Sequence, residues 1–285
     1  MLESRALRRF LKNRAAVVSL GFIVFVALLG LLAPWIAPYS FDIQDIDRTL
    51  EPPSVDHWFG TDSLGRDLLS RVIYGARMSM AVGIFTAFIS VLIGGLYGAL
   101  SGWVGGWIDT LMMRLIDTLD AIPSLVLLIL VGMVFTAYQR FESPELRALT
   151  GILFALSVVG WVSMARLVRG QVLQCRELLF VEGAIAMGAS PIRIMGLHIA
   201  PNILGPIVVM LTFQIPSNIL FESFLSFVGL GLQPPYSSWG VLANDGWRAK
   251  SSPHLIIFPG AALFFTMLAF NLFGDGLRDA LDPKS

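Results

Sequence analysis

Charge is scarce in this sequence. Asp, Glu, Lys and Arg make up 14 % of its 285 residues, where a soluble domain carries roughly 25 %, and the shortfall argues against an ordinary soluble enzyme. Cysteine is nearly absent: Cys175 stands alone, so the chain forms no internal disulfide. The histidines, His57, His198 and His254, are scattered and fit no metal-ligand spacing, so no metal is assigned. The formal net charge is zero, which gives no reason to expect nucleic acid as a partner. A phosphate loop of the form Gly-x-x-x-x-Gly-Lys-Ser/Thr is missing too, because Lys250 follows Ala249 and Lys284 follows Pro283. With no nucleophile–base pair either, the chain is read as having no catalytic residue and no cofactor of its own.

What is abundant is apolar length. Hydrophobic residues reach 55 % and the mean hydropathy is +0.74. A spanning helix needs about 20 predominantly apolar residues, and six stretches qualify: residues 15–37, 78–101, 110–138, 150–166, 203–232 and 255–274. The fold class is therefore an all-α membrane protein with six transmembrane helices. The fourth stretch is the shortest, but its helical pattern runs on through residues 167–179. The first is too long for a signal peptide, and Pro34 and Pro38 follow the only small residues at its exit, so it reads as an uncleaved anchor.

Basic residues set the orientation. With the N-terminus in the cytoplasm, Arg5, Arg8, Arg9, Lys12, Arg14, Arg114, Arg166, Arg169, Arg176, Arg193, Arg278 and Lys284 lie inside, twelve in all. Eight lie outside: Arg48, Arg66, Arg71, Arg77, Arg140, Arg147, Arg248 and Lys250. Both termini are expected in the cytoplasm. The chain then divides into a tail (1–14), a first helix (15–37), an external segment (38–77) and a five-helix core (78–285) carrying a cytoplasmic loop at 166–202.

Several residues carry packing or functional expectations. Gly94, Gly98 and Gly102 recur every fourth position, which lets one helix face approach another closely in lipid; a turn is expected over 102–106. Pro123 should kink the third helix. Arg114, Asp117 and Asp120 lie within that helix's first turns, and intramembrane charge is either paired or lines a wet cavity. Structural pairing is the favoured expectation. In the external segment, Thr61 or Asp62 is placed to cap a short helix running toward Tyr74, along which Asp67 and Arg71 form an i, i+4 pair.

The 166–202 loop is the most informative stretch. A helix beginning near Glu177 meets Gly188, a natural C′ residue. Ser190 then stands as N-cap with Pro191 at N1 of a second short helix reaching about Ala200, before Pro201 and Asn202 open the next span. Leu178, Leu179, Phe180, Val181, Ala184, Ile185 and Met187 cover most of the first helix, leaving Glu177 and Glu182 polar. A helix this apolar outside the membrane must bury itself, against its own bundle or in another protein's groove.

This loop resembles the EAA loop of ABC-importer permeases. Glu182-Gly183-Ala184 stands at the Glu-Ala-Ala triplet, with Gly183 departing from the usual alanine, and Gly188 and Pro201 fall at the matching spacing. His198-Ile199-Ala200-Pro201-Asn202 is similar to the close found in peptide/nickel permeases. Gly60-Thr61-Asp62-Ser63-Leu64-Gly65-Arg66-Asp67 resembles that family's external signature. Phe224-Leu225-Ser226-Phe227-Val228-Gly229-Leu230-Gly231, with Ser238-Trp239-Gly240, is similar to the end of its fifth helix and the loop beyond, and Gly274-Asp275-Gly276-Leu277-Arg278-Asp279-Ala280-Leu281-Asp282-Pro283 to its C-terminus. The match runs in order along nearly the whole chain and is strongest with C-type permeases of oligopeptide importers. The resemblance implies a type I ABC-importer permease fold in a bacterial inner membrane. Its partners would be a second, homologous permease, two ABC ATPase subunits holding ATP and Mg, and an external solute-binding protein. It also implies that Glu182, Gly183, Ala184, Gly188, Ser190, Pro191, Ile192 and Arg193 engage an ATPase.

Two other classes stay in view. An ion-coupled secondary transporter would use Asp117, Asp120 or Glu222 as intramembrane relays, and an assembly factor or anchor would tolerate substitution along the loop.

Overall fold

The computed structural model describes residues 2–138, 144–232 and 236–281. Arg140 and Lys284 of the charge count, and Asp282-Pro283 of the C-terminal motif, lie outside the described residues. An amphipathic, basic α1 (Leu2–Lys12) is followed at once by α2 (Arg14–Leu31) and a single turn, α3 (Ala33–Ile36). The break between α1 and α2 is set by Asn13, whose side-chain oxygen accepts the Ala16 N–H at 3.2 Å and starts a new helix. An irregular segment with one 3₁₀ turn at Ile46–Arg48 leads to α4 (Leu68–Val104). Then come α5 (Gly106–Asp120), α6 (Ser124–Tyr138) and α7 (Pro144–Arg176). The short α8 (Leu179–Ala186) and α9 (Pro191–Ile194) precede α10 (Ala200–Phe227), α11 (Trp239–Arg248) and α12 (His254–Leu281).

Among the described residues five helices are each long and apolar enough to cross a membrane, and α5 with α6 makes a sixth if this pair, bent by 89°, counts as one span. The expected kink at Pro123 is thus a full break. Pro123 has no N–H to donate and its ring crowds the carbonyl four residues back, at Leu119. The chain closes α5 instead with Ala121 N–H on Asp117 O and Ile122 N–H on Leu119 O, then restarts at Ser124.

Several helix ends differ from the sequence expectation. The second span begins ten residues earlier than expected, at Leu68, because Asp67 caps it by accepting the Ser70 N–H at 2.8 Å. The fourth runs on to Arg176, as its pattern indicated. The fifth ends at Phe227 rather than residue 232, and the stretch expected as a loop after it contains α11.

α4 is the central element. It lies along α7, with α10, α2 and α12 around it; buried Met80, Ile219, Trp239, Leu242, Leu255 and Phe270 tie α4, α10, α11 and α12 into one core. A second core of Met164, Val168, Val172, Val181, Ile194 and Ile199 joins α7 to α8, α9 and the foot of α10. Gly30 in α2 lies against the backbone of Ala76 and Arg77, and Gly276 in α12 lies against Ala16. The described chain ends therefore sit at the end of the bundle where α4 finishes and where α8 and α9 are found. Residues 37–67 and α11 cover the opposite end.

Candidate functional site

The segment joining α7 to α10 is built from backbone signals. α7 stops at Arg176, and Leu178, in extended conformation, starts α8 with the Val181 N–H on its carbonyl at 2.8 Å. α8 closes in a Schellman arrangement: Ala189 N–H reaches Ala184 O at 3.1 Å and Gly188 N–H reaches Ile185 O at 2.9 Å. Gly188 takes φ +78° at C′, a left-handed conformation that only glycine adopts without strain. Ser190 has the extended backbone of an N-cap and Pro191 follows at N1, but the Ser190 hydroxyl caps no N–H; its carbonyl accepts the Ile194 N–H instead.

The second helix is not a separate short element, as the sequence suggested. From Pro191 the chain passes through a π-helical turn at Met195–Ile199 directly into α10, a continuous run to Phe227. Pro201 explains the π turn. A regular helix would drive its ring into the Leu197 carbonyl, and the wider turn, with Ala200 N–H reaching back to Met195 O, relieves that clash. Asn202 then secures the junction by donating to His198 O at 2.6 Å. The outcome is one short helix, α8, set by the Gly188–Pro191 corner beside the foot of a spanning helix.

That corner has two faces. Val181, Ala184, Ile194 and Ile199 are buried against the lower ends of α7 and α4. Leu179 and Met187 are each 84 % exposed and Ile192 is 87 % exposed, with Leu178, Phe180 and Ile185 also open. Glu182, Gly183, Gly188, Ser190, Pro191 and Arg193 lie on this same open side. Of the two burial modes open to so apolar a helix, its own bundle takes one face and leaves the other uncovered.

The glycine ladder lies where α4 meets α7. A Cβ at Gly94 would sit 2.5 Å from Trp161 O, one at Gly98 would collide with Ala165 O, and one at Gly102 would sit 2.9 Å from Arg169 O. The chain turns at Gly105 and Gly106, beyond the ladder. This close approach brings α7 arginines to the acids of α5. Arg169 grips Asp109 with two bonds of 2.5 and 2.6 Å, and Arg166 reaches Asp120 at 2.6 Å and Asp117 at 3.0 Å. Asp117 and Asp120 are thus paired across helices by Arg166, while Arg114 is exposed.

Glu222 has a different setting. It is fully buried, accepting from Ser79 at 3.0 Å and Ser226 at 2.8 Å where α4, α10 and α11 meet. The same Ser79 hydroxyl accepts the Trp239 N–H. Sequence reasoning singled out Glu222 but missed its hydroxyl partners, although Ser223 and Ser226 lie within one helical turn of it.

At the other end of the bundle, residues 45–71 fold over a charged core. Asp62 accepts from Leu64 N, Arg66 N and Arg66 Nε at 2.7–3.0 Å, and from Arg71 Nη1. Arg71 also donates to Asp245 of α11 at 3.2 Å. The expected Asp67–Arg71 pair is replaced: Asp67 bonds His57 Nδ1 at 2.9 Å and caps α4, leaving Arg71 to Asp62. Capping falls to Asp67 rather than Thr61 or Asp62. Nearer solvent, hydrogen bonding to Arg48 holds the Asp56 carboxyl below its usual range.

Residues 92–285 match the family described as the binding-protein-dependent transport system inner membrane component. This chain belongs to that family. Residues 4–53 of this inner membrane component also match the N-terminal TM domain of oligopeptide transport permease C. It is 44 % identical to the dipeptide transport system permease protein DppC of Bacillus subtilis, covering 98 % of this chain and 85 % of that protein. It is 45 % identical to the oligopeptide transport system permease protein OppC of Escherichia coli K12, covering 98 % and 90 %. Among solved structures, an inward-facing form of the MetNI methionine ABC transporter matches with a TM-score of 0.62 at 17 % identity, over 75 % of this chain and 96 % of that one. This inner membrane component therefore shares the fold of ABC-importer membrane subunits.

Proposed function

We propose that this chain is the permease subunit of an ATP-driven ABC importer for peptides, forming half of the translocation pathway. Two ATPase subunits, a homologous second permease and an external solute-binding protein complete the machine. The termini and the α8–α9 corner face the cytoplasm of a bacterial cell, and the 45–71 cap with α11 faces outward. One observation carries the reading: the corner is anchored by Val181, Ala184, Ile194 and Ile199 yet presents Leu179, Ile185, Met187 and Ile192 to solvent. An apolar surface held rigidly at the end of a bundle is suited to a partner's groove.

The mechanism follows from that rigidity. Ile194 and Ile199 belong to the same continuous helix as α10, so a push on Ile192 moves the foot of a spanning helix. Coupling of this kind needs contacts whose free energy differs between two states of the ATPase pair. ATP is hydrolysed on the partners, and closure of their dimer drives the permease pair toward its outward-open form. The alternative of an ion-coupled transporter is weakened by Asp117 and Asp120, both of which are already ion-paired to Arg166.

Replacing Glu182 by Lys tests the docking assignment, because Glu182 is exposed on the proposed contact face. The variant should insert and fold normally while ATPase subunits fail to co-purify or peptide uptake collapses. Uptake at the unmodified rate, with the ATPases retained, would sink the assignment.

A further inference from the structure

α1 (Leu2–Lys12) takes no part in the importer reading, yet its place in the fold is closely set. Only Asn13 separates it from α2, which begins at Arg14 and is apolar enough to span a membrane. Phe10 packs edge-on against Phe273 of the spanning α12, with 5.7 Å between ring centroids, and Ala16 and Ala280 complete this small core. At 1.5 Å per residue, Leu7 lies roughly 10 Å of helix from the start of α2. α1 is therefore held at the ends of two spanning helices, at the level where a bilayer gives way to water.

The sides of α1 differ in chemistry. Successive residues turn by about 100°, so Leu7 and Leu11 share one edge and Arg8 and Lys12 the next, with Phe10 across the helix from that basic pair. Phe10 is buried, but Leu7 and Leu11 are 59 % and 58 % exposed. Arg8, Lys12 and Arg14 are exposed as well. From residue 2 to residue 14 the chain carries five basic residues against the single acid Glu3. Paired exposed leucines mark a surface that another phase or partner covers. A short helix with an apolar edge beside a basic one is the pattern that lies in the plane of a membrane surface.

We propose that α1 is an interfacial helix that binds the anionic phospholipids of its leaflet, with Leu7 and Leu11 sunk at the top of the acyl chains and Arg8, Lys12 and Arg14 on headgroup phosphates. Charge complementarity and chain connectivity both favour this occupant. The basic edge adjoins the apolar edge along the helix, both are clear of the Phe10 contact, and α2 brings the bilayer alongside them. A neutral bilayer would satisfy the leucines alone. The two edges together make attachment sensitive to lipid charge and, through screening, to salt. The inference needs only that α2 and α12 span, so it stands apart from the importer reading.

The test spin-labels the full chain in a Cys175→Ala background that removes the sole native thiol. The nanodiscs contain phosphatidylcholine with phosphatidylglycerol. There a nitroxide at Leu7→Cys should meet an uncharged nickel chelate roughly threefold less often than one at Val55→Cys. Val55 is 90 % exposed on the cap at the other end of the bundle. Replacing the phosphatidylglycerol by phosphatidylcholine, or raising the salt, should remove about half of that exclusion or more. Combined Arg8→Gln, Lys12→Gln and Arg14→Gln should do the same in the anionic discs. The charge-conserving set Arg8→Lys, Lys12→Arg and Arg14→Lys should leave the exclusion unchanged, which separates lost charge from lost structure. A Leu7→Cys label as open to the chelate as Val55→Cys would overturn the proposal. So would exclusion indifferent to lipid charge and to neutralisation, or exclusion lost in the charge-conserving set. Exclusion that appears only when ATPase subunits are added would also overturn it, by giving the leucine edge to a protein partner.

Discussion

The two ends of this molecule solve opposite problems. The 45–71 cap is polar but closed: Asp62, Arg66, Asp67 and Arg71 are each at most 4 % exposed, with Arg66 and Arg71 on Asp62, Arg71 also on Asp245 of α11 and Asp67 on His57, while Arg71 Nε and Nη2 have no partner among the described residues. The α8–α9 corner is apolar but open, with Leu179, Met187 and Ile192 left in solvent. The cap buries its charged groups within one chain. The corner has anchored half of its surface and leaves the other half uncovered, which is the difference the proposed reading expects between a structural closure and a docking site.

The cap should therefore be the place where one substitution costs most stability. Asp62→Ala leaves Arg66 and Arg71 buried without their shared carboxylate, and breaking a buried pair in this way costs about 3–5 kcal/mol. Thermal unfolding of the detergent-solubilised protein should show a large drop in Tm, or the protein should fail to accumulate. A shift no larger than that of an exposed substitution such as Asp56→Ala would mean that the charged core does not hold the cap together.

The corner should separate stability from assembly. Val181→Ala empties a buried position and should cost roughly 2 kcal/mol of stability. Ile192→Ala, at an exposed position, should leave stability within about 0.5 kcal/mol while weakening ATPase binding at least tenfold, about 1.4 kcal/mol. Titrating purified ATPase against the two variants checks this. Equal affinity for Ile192→Ala and the unmodified protein would remove Ile192 from the contact.

Much of this architecture was legible in the sequence because lipid imposes simple rules. Six apolar stretches correspond, among the described residues, to five helices long and apolar enough to span plus one bent pair, and Gly188 with Pro191 marked the corner because few residues suit those backbone positions. The illegible parts depended on competition in three dimensions. The i, i+4 spacing of Asp67 and Arg71 suggested a local pair, but Asp62 and Asp245 come from elsewhere and offer Arg71 a buried site, while His57 and the α4 N-terminus take Asp67. Pro201 read as a boundary, yet the π turn lets the helix continue through it.

The smallest expected effect sharpens the comparison from the corner's side. Gly183 stands where alanine is usual in loops of this kind, and nothing lies within 4 Å of the Cβ it lacks, whereas a Cβ at Gly98 would strike α7. Gly183 has no positive φ and sits inside α8, so glycine there contributes only backbone freedom to the unfolded chain. Gly183→Ala should stabilise α8 by up to about 1 kcal/mol. If the ATPase cleft accepts a methyl group at this exposed position, peptide uptake and ATPase affinity should be unchanged and hydrogen exchange across Leu179–Ala186 should slow. Slower exchange accompanied by lost uptake would show that the partner fits closely around Gly183, and that this corner needs a bare backbone at the point of contact.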